Sequence, residues 1–216
     1  MVTMKRLKDR NEWLQMRQNY IGGSDASCVI GLNPYKTNVD LWELKTGRRE
    51  AENLDGNPFV EYGKNAEEYL RELFKLDFPE YQVEYVENNL WLNDKYPFAH
   101  SSLDGWLFDE LGRFGILEIK TTNILQSIQK EKWNHRIPDN YYIQVLHYMA
   151  VLEADFAILK AQLKFDYDGE IYLTTKHYKI EREEVKEDIE YLMQAEREFA
   201  KCIKNDTRPS LLLPAI

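Results

Sequence analysis

Asp104, Glu118 and Lys120 are the residues of this chain whose types and spacing could carry out hydrolysis. Asp104 ends the turn-like segment Ser101-Ser102-Leu103-Asp104-Gly105. Glu118 and Lys120 end the apolar run that begins at Phe114. On a β-strand, residues i and i+2 project to one face, so Glu118 and Lys120 point together. A hairpin turning at Asp109-Glu110-Leu111-Gly112-Arg113 brings Asp104 beside them. Two neighbouring carboxylates repel unless a cation compensates them. A hard divalent ion, Mg²⁺ with Mn²⁺ as a substitute, suits oxygen ligands. Such an ion lowers the pKa of a bound water and stabilises charge growing on a phosphate. Lys120 could then orient the attacking water, and the Ile119 backbone carbonyl could serve as a further oxygen ligand. The same spacing also fits a strand end emerging into solvent with an incidental Glu and Lys.

Three further groups could complete such a site. Glu67 lies on a helix running from Asn57-Pro58 to about Phe74, whose inner face could deliver a third carboxylate. A surface pair with Arg71, four residues on, is the competing reading, and Glu68 is a rival acid. Gln144 sits among apolar neighbours in Tyr141-Tyr142-Ile143-Gln144-Val145-Leu146-His147-Tyr148. Its amide suits a metal-bound water or a phosphate, or else a satisfied core position. Arg17 precedes Gly22-Gly23-Ser24-Asp25, where the two glycines permit a tight turn and Ser24 is a good N-cap. A helix start with a free hydroxyl and a nearby guanidinium can hold a phosphate. The five tryptophans are read as core residues.

These residues need elements to position them. The pattern predicts helices over 5–18, from Thr37 to Gly47, over 57–74, 138–152 and 183–204. Short β-type runs fall at 83–86, 90–92, 103–108 and 114–119. A second hairpin, 156–164 with 171–179, turns at Tyr167-Asp168-Gly169. The expected fold class is α/β (α+β), a central mixed β-sheet flanked by helices, in a single domain over 1–216. No run of 18 apolar residues occurs and Met1–Arg10 is charged, so a soluble cytoplasmic protein is expected. Cys28 and Cys202 have no metal-ligand or CxxC spacing. Walker, GxSxG, HExxH and GxGxxG motifs are absent. The net charge of −9 argues against general coating of a polyanion. A nucleic-acid enzyme of this composition needs a local basic groove, a metal ion, or both.

In order, these motifs resemble the YqaJ-like phage recombinase nucleases, the lambda exonuclease-like group of the PD-(D/E)xK superfamily. Arg17 and Ser24 are similar to the family's N-terminal phosphate-binding motif. Gly63-Lys64-Asn65-Ala66-Glu67 is similar to its helical glycine-to-glutamate motif. Ser102-Leu103-Asp104-Gly105 is similar to Ser-Pro-Asp-Gly, Leu117-Glu118-Ile119-Lys120 to the Glu-x-Lys strand, and Tyr142-Ile143-Gln144-Val145 to the helical glutamine. Leu103 replaces the usual proline, which could loosen that turn, and the gap from Asp104 to Glu118 is long. The resemblance implies a restriction-endonuclease-like core and Mg²⁺-dependent digestion of double-stranded DNA ends, commonly 5′ to 3′. It implies Asp104, Glu118, Glu67 and the Ile119 carbonyl as metal ligands, Lys120 and Gln144 at the water, and Arg17 and Ser24 at a phosphate. It also implies a homotrimer and a single-strand annealing protein as partner. An endonuclease on the same core and an inactive nucleic-acid-binding scaffold are the alternatives.

Overall fold

The computed structural model describes residues 1–213 apart from 53 and 55. The chain opens with strand β1 (Val2–Arg6), helix α1 (Arg10–Gln18), the two-residue strand β2 (Ile21–Gly22) and helix α2 (Gly23–Val29). The helix expected over 5–18 forms from Arg10 onward, while Lys5 and Arg6 belong to β1. Asp9 caps α1 by accepting from the Glu12 N–H at 3.0 Å, which fixes its start. The residues before it pair antiparallel with a later strand, β4 (Asn89–Asn93). Helix α3 (Asn38–Lys45) has the Thr37 capping box with Asp40, and α4 (Pro58–Asp77) follows the Asn57 cap.

Two sheets form rather than one. In the first, β1-β4-β5-β2, strand β5 (Ala99–Ser101) pairs parallel with β2. The second sheet is the expected mixed one, ordered β3-β6-β7-β8-β9. Its strands are β3 (Gln82–Glu84), β6 (Gly105–Phe108), β7 (Phe114–Ile124), β8 (Phe156–Tyr167) and β9 (Glu170–Glu181). Only β7 and β8 are parallel. That pairing needs a crossover, supplied by helices α5 (Ser127–Glu131) and α6 (Asp139–Leu152). Asp168 and Gly169, both with positive φ, turn the β8–β9 hairpin. A 3₁₀ turn (Arg182–Val185) leads into α7 (Lys186–Lys204). Among the described residues no helix is long and apolar enough to cross a membrane.

Alternation along β7 divides the core. Leu117 and Ile119 pack with Leu70 and Phe74 of α4 on one face. Ile116 packs with Val145, Leu146 and Met149 of α6 on the other. Gly22 and Gly23 serve contact rather than a turn. A Cβ at Gly22 would lie 2.6 Å from His100 Nε2, and one at Gly23 2.4 Å from the Tyr148 ring. Gly22 thus lets the start of α2 sit against β5, and Gly23 lets it sit against α6.

On α6, His147 is fully buried between two acceptors, the Glu196 carboxylate of α7 at 2.7 Å and the His100 carbonyl at 2.8 Å. A neutral imidazole donates from one nitrogen only, so one proton more is shared between His147 and Glu196. This pair ties α7 and β5 to the helix that carries Gln144.

Gly115 is closely packed, since an added Cβ would lie 2.3 Å from the Phe156 ring. Gly115→Ala is expected to lower unfolding free energy by about 1–3 kcal/mol through overpacking. A denaturant titration reads this directly, and an unchanged midpoint contradicts the crowding.

Candidate active site

Strand β6 leaves β7 just beyond the Gly105–Leu117 pair. The next free backbone N–H on that edge, Ile119, donates to Asp104 Oδ2 at 2.8 Å. A residue's N–H and C=O point to the same strand edge, so the Ile119 carbonyl faces the same opening. Asp104 is thereby fixed against β7 at the level of Glu118 and Lys120.

Glu118 is 1% exposed, yet only one of its oxygens is engaged. Oε1 accepts from Lys120 Nζ at 2.5 Å and from Gln144 Nε2 at 2.7 Å. Oε2 is buried with no partner among the described residues. Gln144 also donates to the Tyr148 hydroxyl at 2.9 Å, so its amide is held from both sides. A Cβ on Gly23 would come within 3.0 Å of Gln144 Cγ. The close approach of α2 therefore sets where this amide lies.

From the α4 side, Arg71 donates to the Asp104 carbonyl at 2.7 Å and pairs with Glu67 at 3.3 Å. Glu67 pairs at i+4 with a buried Arg71 rather than on the surface, and it also lines the cleft beside Asp104. Glu68 lies in the neighbouring groove with Glu72 and Glu84 and does not line this cleft. Burial, reinforced by the neighbouring Asp104, pushes Glu118 up to about 8 and Glu67 up to about 7. Asp104 is also raised, by burial, against the pull of Lys120. Lys120 is held charged by Glu118 and Asp104, whose attraction overcomes its desolvation. The three carboxyls are crowded in one largely buried site, and a divalent cation there would relieve their mutual repulsion.

The cleft, about 510 Å³, gathers Arg17, Glu67, Asp104, Glu118, Lys120 and Gln144. Ile119 lines a smaller pocket of about 250 Å³ that shares Glu67, Asp104 and Lys120. Ser24 is not brought in. It is exposed on the second residue of α2, and the cap is Gly22, whose N–H donates to Asp25 at 3.1 Å. Asp25 itself pairs with Lys45 at 2.8 Å.

Some site residues carried no signal in the sequence. Asn89 accepts from the Leu103 N–H at 2.9 Å and donates to the Leu103 carbonyl at 2.9 Å. The turn before Asp104 is thus clamped through an N–H that proline lacks, so the leucine tightens it rather than loosening it. Trp13 is a wall of the cleft instead of a core residue. Its Nε1 donates to Ser102 Oγ at 3.1 Å, and the Arg17 guanidinium sits 4.0 Å above its ring. Trp42, Trp106 and Trp133 are buried as expected, while Trp91 is half-buried.

The chain is similar in fold and in sequence to known proteins. The crystal structure of an alkaline exonuclease from Laribacter hongkongensis superposes with a TM-score of 0.62, covering 90% of this chain and 95% of that one at 18% identity. The same exonuclease in complex with dAMP gives 0.61 at 19% identity, with the same coverage. At those identities the likeness is one of fold, a mixed sheet flanked by helices. YqaJ of Bacillus subtilis (strain 168), an uncharacterized protein, is 31% identical over 195 residues, 88% of this chain. The chain spans 55% of that relative's length. Residues 12–155, which hold every residue gathered in the cleft except Arg10, match the model of the YqaJ-like viral recombinase domain, and the chain belongs to that family.

Proposed function

We propose that this chain is a divalent-metal-dependent DNA nuclease that digests duplex ends, 5′ to 3′, in phage or prophage recombination. The observation that carries the reading is the buried, unpartnered Glu118 Oε2 beside Asp104, Lys120 and Gln144. Family membership and the fold of an alkaline exonuclease support it.

The donor set fits Mg²⁺. Asp104 uses one oxygen on Ile119, and its other accepts no hydrogen bond among the described residues. Asp104, Glu118 and the Ile119 carbonyl would hold the ion, with Mn²⁺ as a substitute. Among the described residues no three acidic, His or Cys side chains form a preformed cage. Two carboxylates plus waters and substrate phosphate are a usual Mg²⁺ environment. Glu67 would join as the outlying acid. When bound, the ion supplies charge neutralisation at the phosphate and a more acidic water.

The chain's own groups do the rest. Lys120 donates toward the attacking water or the phosphoryl oxygens. Gln144 holds Glu118 in one rotamer and faces the same water. Arg17, stacked on Trp13, binds a phosphate at the mouth of the cleft. Arg71 keeps Glu67 and the Asp104 backbone in place.

Asp104→Asn and Lys120→Ala are each expected to lower Mg²⁺-dependent digestion of end-labelled linear duplex at least about 10²-fold with the fold retained. Covalently closed circles should survive the parent enzyme. Undiminished digestion by both variants removes the assignment, and nicked circles replace end-dependence with endonuclease action.

The raised carboxyls give a second test. The folded state keeps protons on Glu118 and Glu67 that the unfolded chain has released, so metal-free stability falls as pH rises from about 5 toward about 8. Thermal unfolding in chelator should show this fall, with Glu118→Gln flattening it. Mg²⁺ should stabilise more at the alkaline end. A flat profile in chelator contradicts the crowding of acids.

A further inference from the structure

The residues just past Arg17 border a second cavity, separate from the active-site cleft. It encloses about 570 Å³, with Asn19, Tyr20 and Phe98 on one side and Arg197, Lys201 and Lys204 of α7 on the other. Those three cations fall at i, i+4 and i+7, on one helix face. All three are exposed. Lys201 shares its charge with Glu198 at 2.8 Å, while among the described residues neither Arg197 nor Lys204 is in an ion pair. No carboxylate lines this cavity, in a chain whose net charge is −9.

The ridge between the two cavities is the end of α1 and its following loop. Lys45 pins it, donating to the Tyr20 carbonyl at 2.6 Å and the Arg17 carbonyl at 3.3 Å. Arg17 faces the active-site cleft, and the residues immediately after it face the basic cavity. A strand held at Arg17 therefore has a short, braced path into a groove of its opposite charge.

We propose that this groove binds the phosphate backbone of the polynucleotide strand that continues past the active site. Arg197, Lys201 and Lys204 face the phosphates, and Tyr20 and Phe98 offer rings to sugars and bases. The inference rests on the nuclease reading and adds the local basic track that the acidic composition demands.

The test is the double reversal Arg197→Glu/Lys204→Glu, made at exposed positions away from the catalytic cleft. Fluorescence anisotropy in chelator compares a dinucleotide with strands of about 12 and about 24 nucleotides. The parent should gain affinity with length. The variant should bind the longest strand at least about tenfold more weakly and the dinucleotide equally, with a shallower dependence of log K on log salt, by about 1.4. Equal binding of long strands by parent and variant, with parent digestion intact, overturns this inference alone. Displacement of the strand by polyglutamate as readily as by polyphosphate assigns the groove to an acidic protein segment and also overturns it. A parent that neither digests DNA nor gains affinity with length removes the nuclease reading, and this inference with it.

Discussion

The site depends on one backbone hydrogen bond, from the Ile119 N–H to the Asp104 carboxylate at 2.8 Å. It exists because β6 begins only at Gly105, opposite Leu117, and leaves an unpaired donor farther along an inner strand. A buried donor without a partner costs about 1–3 kcal/mol. Asp104 satisfies it, and in doing so becomes fixed beside Glu118 and Lys120. Helices α4 and α6 lie on opposite faces of the same strand, so their polar groups meet only where the sheet opens. Arg71 and Glu67 arrive from one face and Gln144 from the other.

Charge explains why the cluster is poised rather than satisfied. Lys120 and Gln144 both occupy Glu118 Oε1, leaving Oε2 buried and unmatched. Asp104, Glu118 and Glu67 all lie above their ordinary pKa values. Such strain persists only where the surrounding structure over-determines it. Here the constraints are the Asn89 clamp on Leu103, the Gly23–Tyr148 contact and the His147–Glu196 brace. Each fixes an element that carries a site residue without lying at the reacting centre.

The elements nearest the chemistry were legible in the sequence. Strand β7, the long helix after Asn57-Pro58, the helix carrying Gln144 and both hairpins follow from periodicity and turn residues. Of the first sheet only β4 was legible, as the run at 90–92. Strands β2 and β5 are two and three residues long, and β1 owes its conformation to pairing with β4, far along the chain. Local propensity extends the α1 helix back to Lys5, and pairing with β4 overrides it at Lys5 and Arg6. Residue type and spacing made Asp104, Glu118 and Lys120 candidates, with a solvated strand end as the alternative, and left Gln144 open between a site amide and a core position until the family resemblance was added. Asn89 and Arg71 act on backbone atoms distant in sequence, which no local pattern encodes. Ser24 has the residue type of a cap, but the helix starts one residue earlier, with Gly22 as the cap and its N–H donating to Asp25.

The central claim is that Asp104 and Glu118 share one divalent cation. Anomalous diffraction from Mn²⁺-soaked crystals tests it most directly. The account predicts a peak in contact with both carboxylates and with the Ile119 carbonyl, lost in Asp104→Asn. No peak there, or one bound only elsewhere on the chain, would contradict it.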